Sequence, residues 1–171
     1  MNNAEKIESM IRVNHAGEFG AKRIYEGQLA VLKDKKTLET VKHMKEQELR
    51  HLEYFENELT KRRIRPTILH PVWNVAGFLL GAGTAMMGEK AAYACTVAVE
   101  EVIEEHYQDQ LEQLGEEEGG LKHAIAQFKA EETEHKQTGL DNEAEQTPGY
   151  EVLTSMIKAG SRAAIWLSKR I

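Results

Sequence analysis

Four stretches of this chain have helical spacing, and each carries a carboxylate inside the stripe that ought to be apolar. Between residues 5 and 33, Ile11, Asn14, Glu18, Ala21, Tyr25, Gln28 and Leu32 recur at steps of three and four, the period of one helix face. Residues 37 to 63 repeat the pattern with Leu38, Val41, Met44, Glu48, His51, Phe55 and Leu59. Residues 89 to 114 supply Tyr93, Val97, Glu100, Glu104, Tyr107, Leu111 and Leu114; residues 120 to 138 supply Leu121, Ala124, Phe128, Glu132 and His135. An ionised carboxylate buried without a partner is costly. A chain that places acids on four inward faces must therefore bring them to something that compensates them.

Breaks fall where such helices should stop: Asp34-Lys-Lys, Gly115, Gly119-Gly120, Gly139 and Pro148-Gly149. None of the three prolines precedes Pro66. A last amphipathic helix is predicted over 150 to 170, with Val152, Met156, Ile157, Ala163, Ala164 and Leu167 on or near one side. No segment has the two-residue period of a strand, so the expected class is all-α. A length of 171 residues suits one domain spanning 1–171. The net charge of −6 argues against nucleic-acid binding. The single cysteine, Cys95, excludes an internal disulfide and a thiolate zinc site, and its small, apolar neighbours predict a buried thiol. The chain passes from Met1 into charged helical sequence with no secretory signal or transit peptide in view, which fits a bacterial, cytosol-facing protein or a missing presequence.

Residues 66 to 88 contain no Lys, Arg, Asp or Glu. As a helix the run would reach about 35 Å, enough on length to cross a bilayer. Gly77, Gly81, Gly83, Gly88, Pro66, Pro71, His70 and Asn74 weaken that reading. Monotopic insertion or surface docking is the favoured role, with Trp73 and Phe78 as interface-level anchors. A buried connector and a true span are the alternatives. The adjacent Lys61, Arg62, Arg63 and Arg65 suit an anionic membrane surface.

Two segments share one spacing, Glu48-Leu-Arg-His51 and Glu132-Thr-Glu-His135. Residues three apart on a helix share a face, so each pair can grip one ion. Glu18 lies 30 residues before Glu48, and Glu100 lies 32 before Glu132. The chain thus reads as a duplicated two-helix unit, and folding the copies together gives a four-helix bundle with four carboxylates and two imidazoles at its centre. That ligand set recurs in ferritin-like di-iron and di-manganese carboxylate proteins. One Glu-x-x-His is a weak signal, and Glu101, Glu105, Glu116, Glu117 and Glu118 read as solvated acids. Two matched copies, each with an upstream in-face acid, are hard to reach by chance. The predicted ligands are Glu18, Glu48, His51, Glu100, Glu132 and His135, with Glu48 and Glu132 placed to bridge two iron ions. Periodicity leaves Glu104 open beside Glu100, and Glu131 beside Glu132. His15 reads as a support or cap, Asp141 as an outer partner for an imidazole, and His43, His70 and His123 as surface or loop residues.

The wording around these ligands is more specific still. Arg12-Val-Asn-His-Ala-Gly-Glu-Phe-Gly-Ala21, Arg23-Ile-Tyr-Glu-Gly-Gln28, Trp73-Asn-Val-Ala-Gly-Phe78, Gly81-Ala-Gly-Thr-Ala85, Ala94-Cys-Thr-Val-Ala-Val-Glu-Glu101 and Thr138-Gly-Leu-Asp141 resemble the 5-demethoxyubiquinone hydroxylase family from about residue 6 onward. The resemblance implies a membrane-associated monooxygenase of ubiquinone biosynthesis that hydroxylates the ring of a demethoxyubiquinone, or its quinol, with dioxygen and electrons traceable to NADH. It assigns the six ligands as above, choosing Glu100 over Glu104, and ties His106 and Tyr107 to electron entry and substrate positioning. Asn14, where many relatives carry Asp, and the Glu104-Glu105 pair depart from the family without removing a ligand. A polyprenyl tail implies contact with membrane lipid at residues 66 to 88. The implied location is peripheral, on the cytoplasmic face of the inner membrane in a bacterium or the matrix face of the mitochondrial inner membrane in a eukaryote. Eukaryotic relatives receive substrate from a lipid-presenting partner protein; such a partner, and a homo-oligomer, are open for this chain. A quinol head-group that carries its own electrons needs no dedicated nicotinamide pocket, and no Gly-x-Gly-x-x-Gly element is present. The rival class is another ferritin-like di-iron protein, a ferroxidase or iron store, or a peroxidase.

Overall fold

The computed structural model describes residues 3–171, and all regular structure among them is helical, with no strand. The helices are α1 (Asn3–Val31), α2 (Lys35–Arg62), α3 (His70–Met86), α4 (Glu89–Gln113), α5 (Gly119–Asp141) and α6 (Tyr150–Ser168). The all-α expectation holds, and the predicted helix boundaries fall within a few residues of those observed. Asp34 ends the first break by capping α2: its side chain accepts from the Thr37 N–H at 2.9 Å and from the Thr37 hydroxyl at 3.1 Å. These bonds stabilise the anion and hold the Asp34 carboxyl below its usual range. At the other end Arg63 adopts φ 57°, and Ile64 N–H returns to Leu59 O at 2.9 Å. This closes the helix as a glycine would, but with an arginine. Gly88, at φ 121°, makes the turn from α3 into α4.

The chain divides into two compact units. One contains α1, α2 and α3 with Arg162–Ile171; the other runs from Lys90 to Ser161. In the first, α1 packs against both α2 and α3. The α1–α3 contact is close enough that glycine is required. A Cβ on Gly27 would collide with the Phe78 carbonyl, one on Gly81 with the Ile24 carbonyl, and one on Gly77 would stand 2.9 Å from Gly20 O. In the second unit, a Cβ on Gly139 would lie 2.7 Å from Val97 Cγ2 and 3.1 Å from Tyr93 O, so that glycine lets α5 approach α4.

The apolar run 66–88 resolves into a 17-residue helix and its flanks. No helix among the described residues is long and apolar enough to cross a membrane, which removes the spanning alternative. Nor is the run a buried connector. Gly77, Gly81, Thr84 and Ala85 are buried, whereas Ile68, Val72, Val75, Leu79, Met86 and Met87 are exposed. The expected anchors are partly turned inward: Trp73 donates through Nε1 to Ser168 Oγ at 3.1 Å, and Phe78 lies under the Arg23 guanidinium. On the apolar side named for α6, Ile157 is buried while Val152 and Met156 are exposed, and the open indole is Trp166.

Candidate metal centre

In the first unit, α1 contributes Glu18, and α2 contributes Glu48 and His51 from a single turn. All three side chains are at most 1% exposed. His51 Nδ1 lies 3.4 Å from Glu18 Oε2 and 3.9 Å from Glu48 Oε2. The ligand atoms of the three residues lie within 4.8 Å of one another. Fully buried Tyr25 and Phe55 flank the group along the same stripes, and the Tyr25 hydroxyl meets Met44 Sδ at 4.0 Å.

The second unit builds the same arrangement from α4 and α5. Glu100, Glu132 and His135 are 1%, 0% and 2% exposed, and their ligand atoms also fall within 4.8 Å of one another. His135 Nδ1 stands 3.0 Å from Glu132 Oε2. Gly139, one turn beyond His135, is where α5 closes on α4. The duplication read from spacing is therefore repeated as two buried triads of two carboxylates and one imidazole.

The donor chemistry of each triad fits a first-row divalent cation. Carboxylate oxygen with imidazole nitrogen suits iron, manganese or zinc, whereas calcium and magnesium prefer all-oxygen sites. Buried acids beside neutral apolar walls also require positive charge nearby. Cys95 is fully buried, as expected, but belongs to neither triad.

The alternatives left by periodicity separate clearly. Glu104 is half-buried, bonded to Lys136 and to Thr133 Oγ1. Although burial pushes its carboxyl upward, those bonds hold it below its ordinary range. The inward stripe of α4 runs through Glu100, Ile103, Tyr107 and Gln110 to Leu114 just past its end, all buried. The sequence stripe had instead passed through Glu104 and Leu111, one residue off at two positions. Glu131 is half-buried and accepts from Gln127 on its own helix.

The structure brings other histidines to places that differ from expectation. His70 is no loose loop residue: it opens α3, tilts onto Phe19 with ring centroids 3.7 Å apart, and stacks on His15 at 5.6 Å. His15 is buried and 3.9 Å from Glu56, and is not among the clustered donor residues. Burial first, then the His70 ring, pushes the His15 imidazole down to about 4, so it is neutral near pH 7. Asp141 is exposed at the end of α5 and accepts from Gln137 at 2.8 Å, so it supports no imidazole. Tyr107 is 1% exposed and His106 is half-buried beside it. Among the buried polar residues that the sequence stripe passed over, one stands beside His106. Gln110 is 1% exposed, with its amide 2.7 Å from the His106 ring. The three–four spacing from Glu100 through Tyr107 was the signal that pointed to it.

The family model described as "Ubiquinone biosynthesis protein COQ7" matches residues 5–168. A Rhodospirillum rubrum protein named "3-demethoxyubiquinol 3-hydroxylase" is 51% identical over 169 residues, covering 98% of this chain and 80% of that one. The human "NADPH-dependent 3-demethoxyubiquinone 3-hydroxylase, mitochondrial" is 49% identical, covering 96% and 78%. The Saccharomyces cerevisiae "5-demethoxyubiquinone hydroxylase, mitochondrial" is 39% identical, covering 96% and 78%. The human relative's name specifies NADPH, where the resemblance had suggested NADH.

Proposed function

The chain belongs to the ubiquinone biosynthesis protein COQ7 family, and on that footing we propose that it hydroxylates the ring of a demethoxyubiquinone in ubiquinone biosynthesis. The observation that carries this reading is a match spanning residues 5–168, within which each half buries its own Glu/Glu/His triad. In the overall reaction a ring C–H becomes C–OH with one atom of dioxygen, and the other atom leaves as water. The balance consumes two electrons, traceable to a reduced nicotinamide, and two protons.

The two triads supply six donors for two iron ions, the ligand set of ferritin-like di-iron proteins. Glu18, Glu48 and His51 would hold iron in one unit and Glu100, Glu132 and His135 in the other, with Glu48 and Glu132 as the carboxylates expected to be shared. Support comes from the burial of each triad and from its donor chemistry. When bound, the two irons supply the redox capacity that dioxygen activation requires. The protein's own contribution is to hold six donors in place, and to keep bulk water away with Tyr25, Phe55 and Tyr107, each at most 1% exposed. His106 and Tyr107 orient the quinone ring and assist electron entry.

The decisive experiment is expression in ubiquinone-deficient cells blocked at this hydroxylation. The accumulated demethoxyubiquinone is expected to convert under air, with NADH and NADPH compared in extracts. Persistence of the intermediate beside folded, iron-loaded protein would refute the substrate assignment. Iron oxidation and storage without quinone dependence would identify the ferroxidase alternative instead.

A polyprenyl substrate lives in lipid, and the outer side of α3 offers the means to reach it. Val72, Val75 and Leu79 are each more than half exposed and, with Ile68, make an apolar strip beside Arg62, Arg63 and Arg65. The protein therefore docks peripherally by this strip, on the cytoplasmic face of a bacterial inner membrane or the matrix face of a mitochondrial one. Burying an aliphatic side chain contributes about 1.5–3 kcal/mol. Val75→Asp with Leu79→Asp is thus expected to cut binding to anionic vesicles at least about tenfold, while turnover of a short-tailed, water-soluble substrate persists. Undiminished co-sedimentation of the double variant would eliminate this face as the docking surface.

A further inference from the structure

On α4, His106 and Gln110 stand one turn apart, and Gln110 Nε2 lies 2.7 Å from His106 Nε2. The amide is almost wholly buried, at 1% exposure, while the imidazole is only half-buried. Glutamine is an expensive residue to bury, since it loses rotamer freedom and must satisfy its polar atoms. An apolar residue would fill the same stripe between Tyr107 and Leu114 more cheaply. The position therefore calls for what an amide does and a methylene does not.

An amide nitrogen is a donor only. With the amide nitrogen placed toward the ring, the imidazole nitrogen facing it is the acceptor and the ring proton belongs on Nδ1. A neutral histidine otherwise has two tautomers and two ring flips to choose among. One short bond from a residue locked in the helix interior selects a single state. We propose that Gln110 is a positioning residue that holds His106 as its Nδ1–H tautomer in one ring orientation, so that the nitrogen His106 turns to its other neighbours is a donor suited to a quinone ring oxygen. This rests on the reading above that His106 serves the hydroxylation.

A double-mutant cycle on the iron-loaded enzyme tests it, with a short-tailed demethoxyubiquinol as probe. Gln110→Met keeps the volume and removes the donor. It is expected to lower kcat/KM about tenfold, the scale of one buried hydrogen bond. The loss should fall mainly on KM for the quinol, leaving KM for dioxygen and iron content unchanged. His106→Phe should lose at least as much, and the double variant no more than His106→Phe alone, because one residue acts through the other. Gln110→Glu, nearly isosteric but an acceptor, favours the opposite tautomer and should be impaired too; a merely space-filling role would leave it active. Losses that multiply in the double variant, or a fully active Gln110→Met, would overturn the proposal while leaving the role of His106 intact. A fully active His106→Phe would overturn it differently, by removing the role that Gln110 is argued to support.

Discussion

Glu132→Gln should leave a folded protein that holds almost no iron and turns over at least about 10³-fold more slowly, since metal activation contributes several kcal/mol and each 1.36 kcal/mol is tenfold. The substitution is nearly isosteric, so the 0%-exposed site keeps its volume. What it removes is one negative charge and the symmetric oxygen pair that a bridging position requires. At the proposed bridge, the loss should reach both ions: wild type is expected to carry about two per chain, the variant fewer than about half of one. Glu100→Gln, at a terminal position in the same unit, should weaken loading less completely.

Thermal unfolding gives an independent reading. A ligand that binds only the folded state at about 1,000 times its Kd stabilises by about 4 kcal/mol, which for a chain of this size raises Tm by roughly 8–16 °C. Wild type should show a rise of that order on ferrous loading, and Glu132→Gln should lose most of it while its metal-free Tm stays within a few degrees. If the variant binds iron stoichiometrically and gains the same protection, Glu132 is no ligand and the buried triads need another explanation.

The candidate ligands were legible in the sequence because the geometry linking them is local. Three residues along a helix always place Glu and His on one face, so Glu48 with His51 and Glu132 with His135 follow from secondary structure alone. Selecting the lone acids is harder. Glu100 and Glu104 sit one turn apart; periodicity does not choose between them, the family resemblance favours Glu100, and packing buries Glu100. Lys136 and Thr133 on α5 draw Glu104 to the rim, while Ile103 takes the interior place. Helix ends were legible where their chemistry is common, as with the Asp34 cap. The helical pattern also ends at residue 63, where α2 stops, although a left-handed arginine has no distinctive sequence mark. The run 66–88 was ambiguous for a physical reason. Uniform apolarity reports that a segment avoids charge without saying which side meets protein. Its glycines divide the two sides, and their spacing alone does not reveal how.

Gly81 and Gly83 make that division measurable. Both lie inside α3, two residues apart, where alanine is ordinarily better than glycine by about 0.5–1 kcal/mol. At Gly83 an added Cβ meets nothing within 4 Å, so Gly83→Ala is expected to raise stability by about that amount. At Gly81 the same methyl would drive into the backbone of Ile24 on α1. A carbonyl on a continuous helix cannot swing aside as a side chain can, so α3 must be displaced from α1. Overpacking of this kind costs typically 1–3 kcal/mol and more where backbone must move, which more than reverses the propensity gain. Gly81→Ala is therefore expected to lower Tm by at least about 5 °C and to open α3 to proteolysis, with Gly27→Ala behaving alike from the other side of the contact. Equal, favourable shifts for Gly81→Ala and Gly83→Ala would mean that α1 and α3 are not packed this closely. The support that α1 gives α3, and with it the apolar strip that α3 presents, would then need a different basis.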